Sequence, residues 1–148
     1  MRSFSPSVDR KNESGIYSLF LSSSGSNSLI NIMVVDDDQI ILDLFDAGQD
    51  LYNYRVVANA STCEEAIAKY PRVIPRPDIV LMDYNMPDMN GIECMKRIFQ
   101  IDSKAKIVFI SACVDKRTEA LAEGAIDFVP KPFAMTNLME QLNRIRNQ

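Results

Sequence analysis

Between residues 29 and 148, five apolar runs of strand length alternate with segments of helical period. This pattern predicts an α/β fold, a doubly wound five-stranded parallel sheet with helices on both faces. Two further observations support it. The runs are nearly all apolar rather than alternating, as expected of strands covered on both sides. Each is followed by a helical segment, the crossover that parallel neighbours require.

The first strand is Leu29-Ile30-Asn31-Ile32-Met33-Val34-Val35. After Asp38, the residues Ile40, Ile41, Leu44 and Phe45 form one helical stripe with Asp43 and Asp46 opposite. Tyr54-Arg55-Val56-Val57-Ala58 reads as the second strand. Ser61, three residues before Glu64, predicts a capping box opening a helix that turns Ala66, Ile67 and Tyr70 inward. Glu65 and Lys69 make an outward pair on it. Three prolines between Pro71 and Pro77 end that helix. Asp78-Ile79-Val80-Leu81-Met82 is the third strand, and Ile92, Met95 and Phe99 mark the helix after it. Lys106-Ile107-Val108-Phe109-Ile110 is the fourth strand, and its helix, about 115–123, stops at Gly124, a left-handed cap. Ala125-Ile126-Asp127-Phe128-Val129 is the fifth strand. Met135, Leu138, Leu142 and Ile145 share one face of the last helix.

Composition removes several function classes. The 148 residues are 47% hydrophobic and 24% charged, ordinary for one folded domain. The net charge of −4 argues against a nucleic-acid surface. No run approaches the roughly 18 apolar residues of a membrane span. The complete absence of histidine excludes His-based metal sites, Ser-His and Cys-His nucleophile pairs, and a phosphohistidine donor role. Cys63, Cys94 and Cys113 are odd in number and lack CxxC spacing, so neither a zinc knuckle nor a disulfide framework is expected, and a reducing cytoplasm is. Residues 1–28 include ten serines and carry +1, leaving −5 for residues 29–148. This Ser-rich stretch reads as a disordered extension, with a single domain over 29–148 and no output domain after the fifth helix.

Open parallel sheets bind ligands beyond the carboxyl ends of their strands. There stand Asp36, Asp37 and Asp38 after the first strand, Asp83 after the third, Ser111 after the fourth and Lys131 just beyond the fifth. The second strand ends without an ionic group, in Asn59-Ala60. In the order 2-1-3-4-5 it lies at an edge, and the four polar ends share one crevice. Clustered carboxylates must take up protons or bind a cation. Oxygen-only ligands favour a hard ion such as Mg²⁺, which keeps waters and leaves room for a phosphoryl oxygen. With Lys131 and Ser111 supplying further charge and a donor, Asp83 is placed to attack phosphorus and form an acyl phosphate.

Val34-Val35-Asp36-Asp37-Asp38, the segment Asp83-Tyr84-Asn85-Met86-Pro87-Asp88-Met89-Asn90-Gly91, Ile110-Ser111-Ala112 and Lys131-Pro132-Phe133 resemble the signature segments of response regulator receiver domains. The resemblance covers about 29–148 and is closest to single-domain, chemotaxis-type regulators of flavodoxin-like fold. It implies that Asp83 is the phosphoacceptor of a two-component phosphorelay. It also implies that Asp37 and Asp83 ligate Mg²⁺ directly, Asp36 acts through water, and the Asn85 backbone carbonyl completes the site. Ser111 becomes the switch hydroxyl, Lys131 the phosphate-binding lysine, and Phe128 the switch aromatic that turns inward. A cis Lys131–Pro132 bond follows from the same resemblance.

The implied donor is a sensor histidine kinase or phosphotransfer protein. The output is a protein partner read by the fourth helix, fifth strand and fifth helix, with no direct nucleic-acid or membrane contact. The chain is expected to be no enzyme beyond catalysing its own phosphorylation and dephosphorylation. Phe128 lacks the phenol oxygen often found at its position, and Pro130 before the lysine is unusual. A haloacid-dehalogenase-type phosphatase needs a second Asp where Asn85 stands. An inert pseudo-receiver is disfavoured by the complete set Asp36, Asp37, Asp83, Ser111 and Lys131.

Overall fold

The computed structural model describes residues 28–148; the expectation of a disordered extension falls on residues that, Ser28 excepted, lie outside these. Five parallel strands, β1 (Ile30–Val35), β2 (Tyr54–Ala60), β3 (Ile79–Met82), β4 (Ile107–Ser111) and β5 (Asp127–Pro130), pair in the order β2-β1-β3-β4-β5. The helices are α1 (Gln39–Tyr52), α2 (Cys63–Lys69), α3 (Gly91–Ile101), α4 (Arg117–Ala122) and α5 (Met135–Arg146), with short 3₁₀ turns at Tyr70–Arg72 and Val114–Lys116.

Strand side chains alternate between two cores, as the pleat requires. Ile30, Ile32, Val34, Ile79, Leu81, Val108 and Ile110 pack against α1 and α5. Met33, Val35, Val80, Met82, Ile107 and Phe109 pack against α2, α3 and α4. Each such side chain contributes about 1.5–3 kcal/mol by leaving water.

Local chemistry sets the helix ends. The Asp38 carboxylate accepts from the Ile40 N–H at 3.0 Å and caps α1, and Asn53 ends it at φ 62°, a left-handed value its short polar side chain tolerates. The inward stripe of α1 is rotated from the sequence expectation. Leu42 and Phe45 are buried, whereas Ile40 and Leu44 are 75% and 41% exposed. Capping of α2 begins one residue later than expected: the Thr62 hydroxyl accepts from the Glu65 N–H (3.1 Å), and the Glu65 carboxylate reaches back to the Ser61 N–H (2.8 Å). Glu65 and Lys69 pair at 2.8 Å as the sequence predicts.

Gly124 takes φ 121°, and the Ala125 N–H returns to the Ala120 carbonyl to close α4. That closure uses Ala125, so β5 starts at Asp127 rather than Ala125. Both Lys131–Pro132 and Ile74–Pro75 are cis. The expectation about the cysteines is corrected: Cys63 and Cys94, 31 residues apart, form a disulfide between α2 and α3 with Cα atoms 5.6 Å apart. Packing of two crossover helices on one face of the sheet brings them together, and no local spacing announces it.

Candidate functional site

The carboxyl ends of β1, β3, β4 and β5 meet at one mouth of the sheet. Parallel pairing fixes this, because β1 and β3 run in register to Val35 opposite Met82, and β4 and β5 to Ser111 opposite Pro130. Asp36 and Asp83 therefore leave adjacent strands at the same height. The Asp83 N–H bonds the Val35 carbonyl at 2.9 Å, extending the ladder to the acidic residues.

Carboxylate oxygens of Asp36, Asp37 and Asp83 all lie within 4.8 Å of one another. Asp36 and Asp83 are buried; Asp37 is exposed at the rim. Lys131 reaches over from the end of β5, its Nζ 2.8 Å from Asp36 Oδ2 and 3.6 Å from Asp83 Oδ2. The other Asp36 oxygen accepts from the Asp38 N–H at 2.9 Å, so both oxygens of this carboxylate already have donors. Asp83 Oδ1 accepts from the Tyr84 N–H at 2.8 Å.

Burial raises the Asp83 carboxyl above its ordinary value. The Lys131 ammonium opposes that shift, the Asp36 charge adds to it, and the Tyr84 N–H and Ser111 hydroxyl hold it down. Desolvation pulls Lys131 downward, but the Asp36 and Asp83 carboxylates outweigh it and its pKa is raised. The acidic mouth thus sets one ammonium group, Lys131, against three carboxyl groups.

Ser111, the last residue of β4, is 1% exposed, and its Oγ accepts from the Cys113 N–H at 3.1 Å. The Asn85 side chain is exposed, and its amide donates to Cys113 Sγ at 3.0 Å, linking the loops after β3 and β4 across the mouth. The Lys116 ammonium, 5.5 Å from the Tyr84 ring centroid, makes a second link between them. Phe128 is 3% exposed, and its ring stacks on Phe109 with centroids 6.2 Å apart, so it already points inward. Asp36, Asp37, Asp83, Ser111 and Lys131 are brought together as the sequence predicts. Phe128 stands apart from them in the core beneath β4 and β5.

Three participants escaped the sequence. Asp88 caps α2 from the loop after β3, accepting from the Cys63 and Glu64 N–H groups at 3.0 and 2.9 Å. It is 25 residues from its partner, and nothing local marks it. Arg117 Nη1 donates to the Phe128 carbonyl at 3.0 Å on the exposed edge of β5. Asn90 caps α3, its Oδ1 accepting from the Glu93 N–H at 2.9 Å; the Asn-x-x-Glu spacing was a usable signal there.

The response regulator receiver domain profile matches residues 32–143, most of the described chain. The chain belongs to that family. It is 37% identical over 116 residues to the chemotaxis protein CheY of Thermotoga maritima, covering 77% of this chain and 95% of that protein. It is 35% identical over 118 residues to CheY of Bacillus subtilis, covering 78% and 97%. Among solved structures, the CheX–CheY–BeF₃–Mg²⁺ complex of Borrelia burgdorferi superposes with a TM-score of 0.74 at 26% identity, covering 82% of this chain and 98% of that one. A CheY-like receiver domain of Methanospirillum hungatei gives 0.71 at 25%, covering 81% and 95%. Receiver domains bind Mg²⁺ at an acidic site, and this one carries an aspartate cluster at the mouth of its sheet. The donor set fits such an ion: three carboxylates, no imidazole or thiolate, and an anionic excess that Lys131 alone leaves uncompensated. No helix among the described residues is long and apolar enough to cross a membrane.

Proposed function

We propose that Asp83 accepts a phosphoryl group from the phosphohistidine of a sensor histidine kinase or phosphotransfer protein. In this reading a bond forms between an Asp83 carboxylate oxygen and phosphorus as the phosphorus–imidazole bond breaks. Asp37, Asp83 and the Asn85 backbone carbonyl would hold Mg²⁺ directly, with Asp36 acting through water because both its oxygens already have donors. When bound, the ion neutralises charge on the phosphoryl oxygens. Lys131 does the same from the other side, and the Ser111 hydroxyl, released from the Cys113 N–H, turns to a third oxygen.

The new charge then draws the loop after β4 toward Asp83, biasing the face built from α4, β5 and α5 for a protein partner. Phe128 fills the space beneath, in the inward position it already holds. The chain is a cytoplasmic signalling protein in this reading, an enzyme only toward its own aspartyl phosphate, with no direct nucleic-acid or membrane role. One observation supports it above the rest: a lysine from beyond β5 sits within 3.6 Å of a buried aspartate at the end of β3. An isolated helix-capping aspartate has no use for that cation.

Incubation with acetyl phosphate and Mg²⁺ should add one acid-stable, base-labile phosphoryl group, read by intact mass and mapped by peptide. Asp83→Asn should abolish it. A group that persists on another residue overturns the assignment.

A further inference from the structure

The Cys63–Cys94 disulfide joins the first residue of α2 to the fourth of α3, and both cysteines are 0% exposed. Cys63 is held from a second side by the Asp88 carboxylate, which accepts from its N–H and from that of Glu64. Asp88 belongs to the loop that opens at Asp83. That loop is tied to itself by an Asn85–Asn90 bridge and by the Gly91 N–H to the Tyr84 carbonyl, 2.6 Å. Cys63 is therefore one of the points where the segment carrying the candidate phosphoacceptor is fastened to the rest of the fold, and it ties the far end of that loop to α2.

We propose that Cys63 and Cys94 are a redox-modified thiol pair, exchanging with low-molecular-weight disulfides of the glutathione class, and that their state sets how tightly residues 84–90 are held. The consequence for Mg²⁺ and phosphorylation at Asp83 rests on the phosphoacceptor reading; the consequence for the loop does not. Oxidation consumes one small disulfide. A cysteine thiolate attacks one of its sulfurs, the small molecule's S–S bond breaks, and the departing thiolate takes up the proton the cysteine gave. The second cysteine thiolate then displaces the remaining small thiolate from the mixed disulfide. Two protein thiols lose two electrons and two protons, and one disulfide becomes two thiols.

The reduced protein keeps its core, because buried free cysteines pack as small apolar side chains among Met33, Val35, Ala60 and Ala66. What changes is separation. Two unbonded sulfurs need van der Waals distance, so the start of α2 retreats from α3 and carries the Cys63 and Glu64 N–H groups relative to Asp88. Only seven residues long, α2 is suited to such local movement, which also gives the sealed sulfurs their access to small thiols. Cys113, half-buried and outside the disulfide, has no cysteine beside it, so oxidised glutathione takes it no further than a mixed disulfide.

The experiment uses the full chain equilibrated with oxidised or reduced glutathione, then denatured and alkylated. Peptide mapping should find Cys63 joined to Cys94 after oxidation and both alkylated after reduction, whatever the state of Cys113; both alkylated in the two states overturns the pair. Amide exchange at residues 84–90 should be roughly two- to tenfold faster in the reduced protein, as for weakening one hydrogen bond. Acetyl phosphate labelling of Asp83 should slow by a similar factor. The Cys63→Ala/Cys94→Ala double variant should show no response to glutathione in either assay. By reciprocity, Mg²⁺ should shift the thiol–disulfide midpoint toward the disulfide by the factor that oxidation adds to Mg²⁺ affinity. Equal loop exchange in the two states overturns the coupling. Absence of labelling in both states, with the loop still responding, overturns the phosphoacceptor reading and leaves the redox pair standing.

Discussion

Replacing Asp83 with asparagine should stabilise the metal-free protein and lose that advantage when Mg²⁺ is added. Lys131 at 3.6 Å attracts the Asp83 charge by about 5 kcal/mol at an effective dielectric of 20. Asp36, with an oxygen within 4.8 Å, repels it by about 3.5 kcal/mol on the same scale. The two nearly cancel, and the exposed Asp37 adds a weaker, screened repulsion. What remains is the cost of burying a carboxylate whose side chain is only 11% exposed, reduced by the bonds from Tyr84 and Ser111. A net gain of about 1–2 kcal/mol for Asp83→Asn follows, since full desolvation costs several kcal/mol per ion. At about 2.1 cal/mol/K per residue over the described domain, this is a rise in Tm of roughly 4–8 °C.

The pH dependence has a definite sign. The folded pKa of Asp83 is raised, so its favourable contribution is complete below the unfolded value and is lost as pH rises through the folded one. The advantage of the variant should therefore be larger at pH 7 in chelator than at pH 4 and shrink as pH falls toward the ordinary carboxylate range. Mg²⁺ at about 100 times its Kd adds roughly 2.7 kcal/mol to the wild type and less to a variant missing a ligand, so the order inverts. Differential scanning calorimetry at pH 7 and pH 4, with and without Mg²⁺, measures all four states. A variant no more stable than wild type in chelator at pH 7 would refute the reasoning.

Asp37→Ala should erase most of the Mg²⁺-dependent rise in Tm while changing the metal-free Tm little, because Asp37 is exposed; dye-based melting at graded Mg²⁺ tests this. Gly91→Ala should destabilise by about 1–3 kcal/mol, because a Cβ there would lie 2.9 Å from Tyr84 Cα and against the Asp83 carbonyl oxygen, both backbone atoms; urea denaturation reads the loss. Tyr54 and Tyr70 are pushed up to about 12 chiefly by burial. Their neutral forms contribute stability that is present below pH 10 and lost as pH rises through 12. Absorbance at alkaline pH should show two of the five tyrosines ionising last, together with unfolding.

The positions gathered at the candidate site were legible because a parallel sheet converts sequence order into place. Each strand is a conspicuous apolar run, and the residue after it must stand at the same mouth, so Asp36, Asp83, Ser111 and Lys131 could be gathered without coordinates. Rotational detail was less legible. Ile40, Ile41, Leu44 and Phe45 made a plausible stripe, but the apolar sector of α1 is wide enough that Leu42 replaces Ile40 and Leu44 on the buried side. Ser61 with Glu64 read as the cap of α2, but Thr62 and Glu65 stand at the same spacing one residue on and make the bonds instead. Contacts between crossover helices left no trace at all. Cys63 meets Cys94, and Asp88 meets Cys63, only because α2 and α3 share a face of the sheet.

Two quieter contacts fix where the described chain ends emerge. Arg146 Nη1 donates to the Ser28 carbonyl at 2.8 Å, and Lys106 Nζ lies 3.4 Å from the Gln148 carbonyl, so both described termini emerge side by side at the amino pole of the sheet. A six-residue strand, about 20 Å of rise, separates them from the carboxylates. An immobilisation handle attached after Gln148 will hang from the blunt pole, leaving the acidic mouth clear for binding measurements on a solid support.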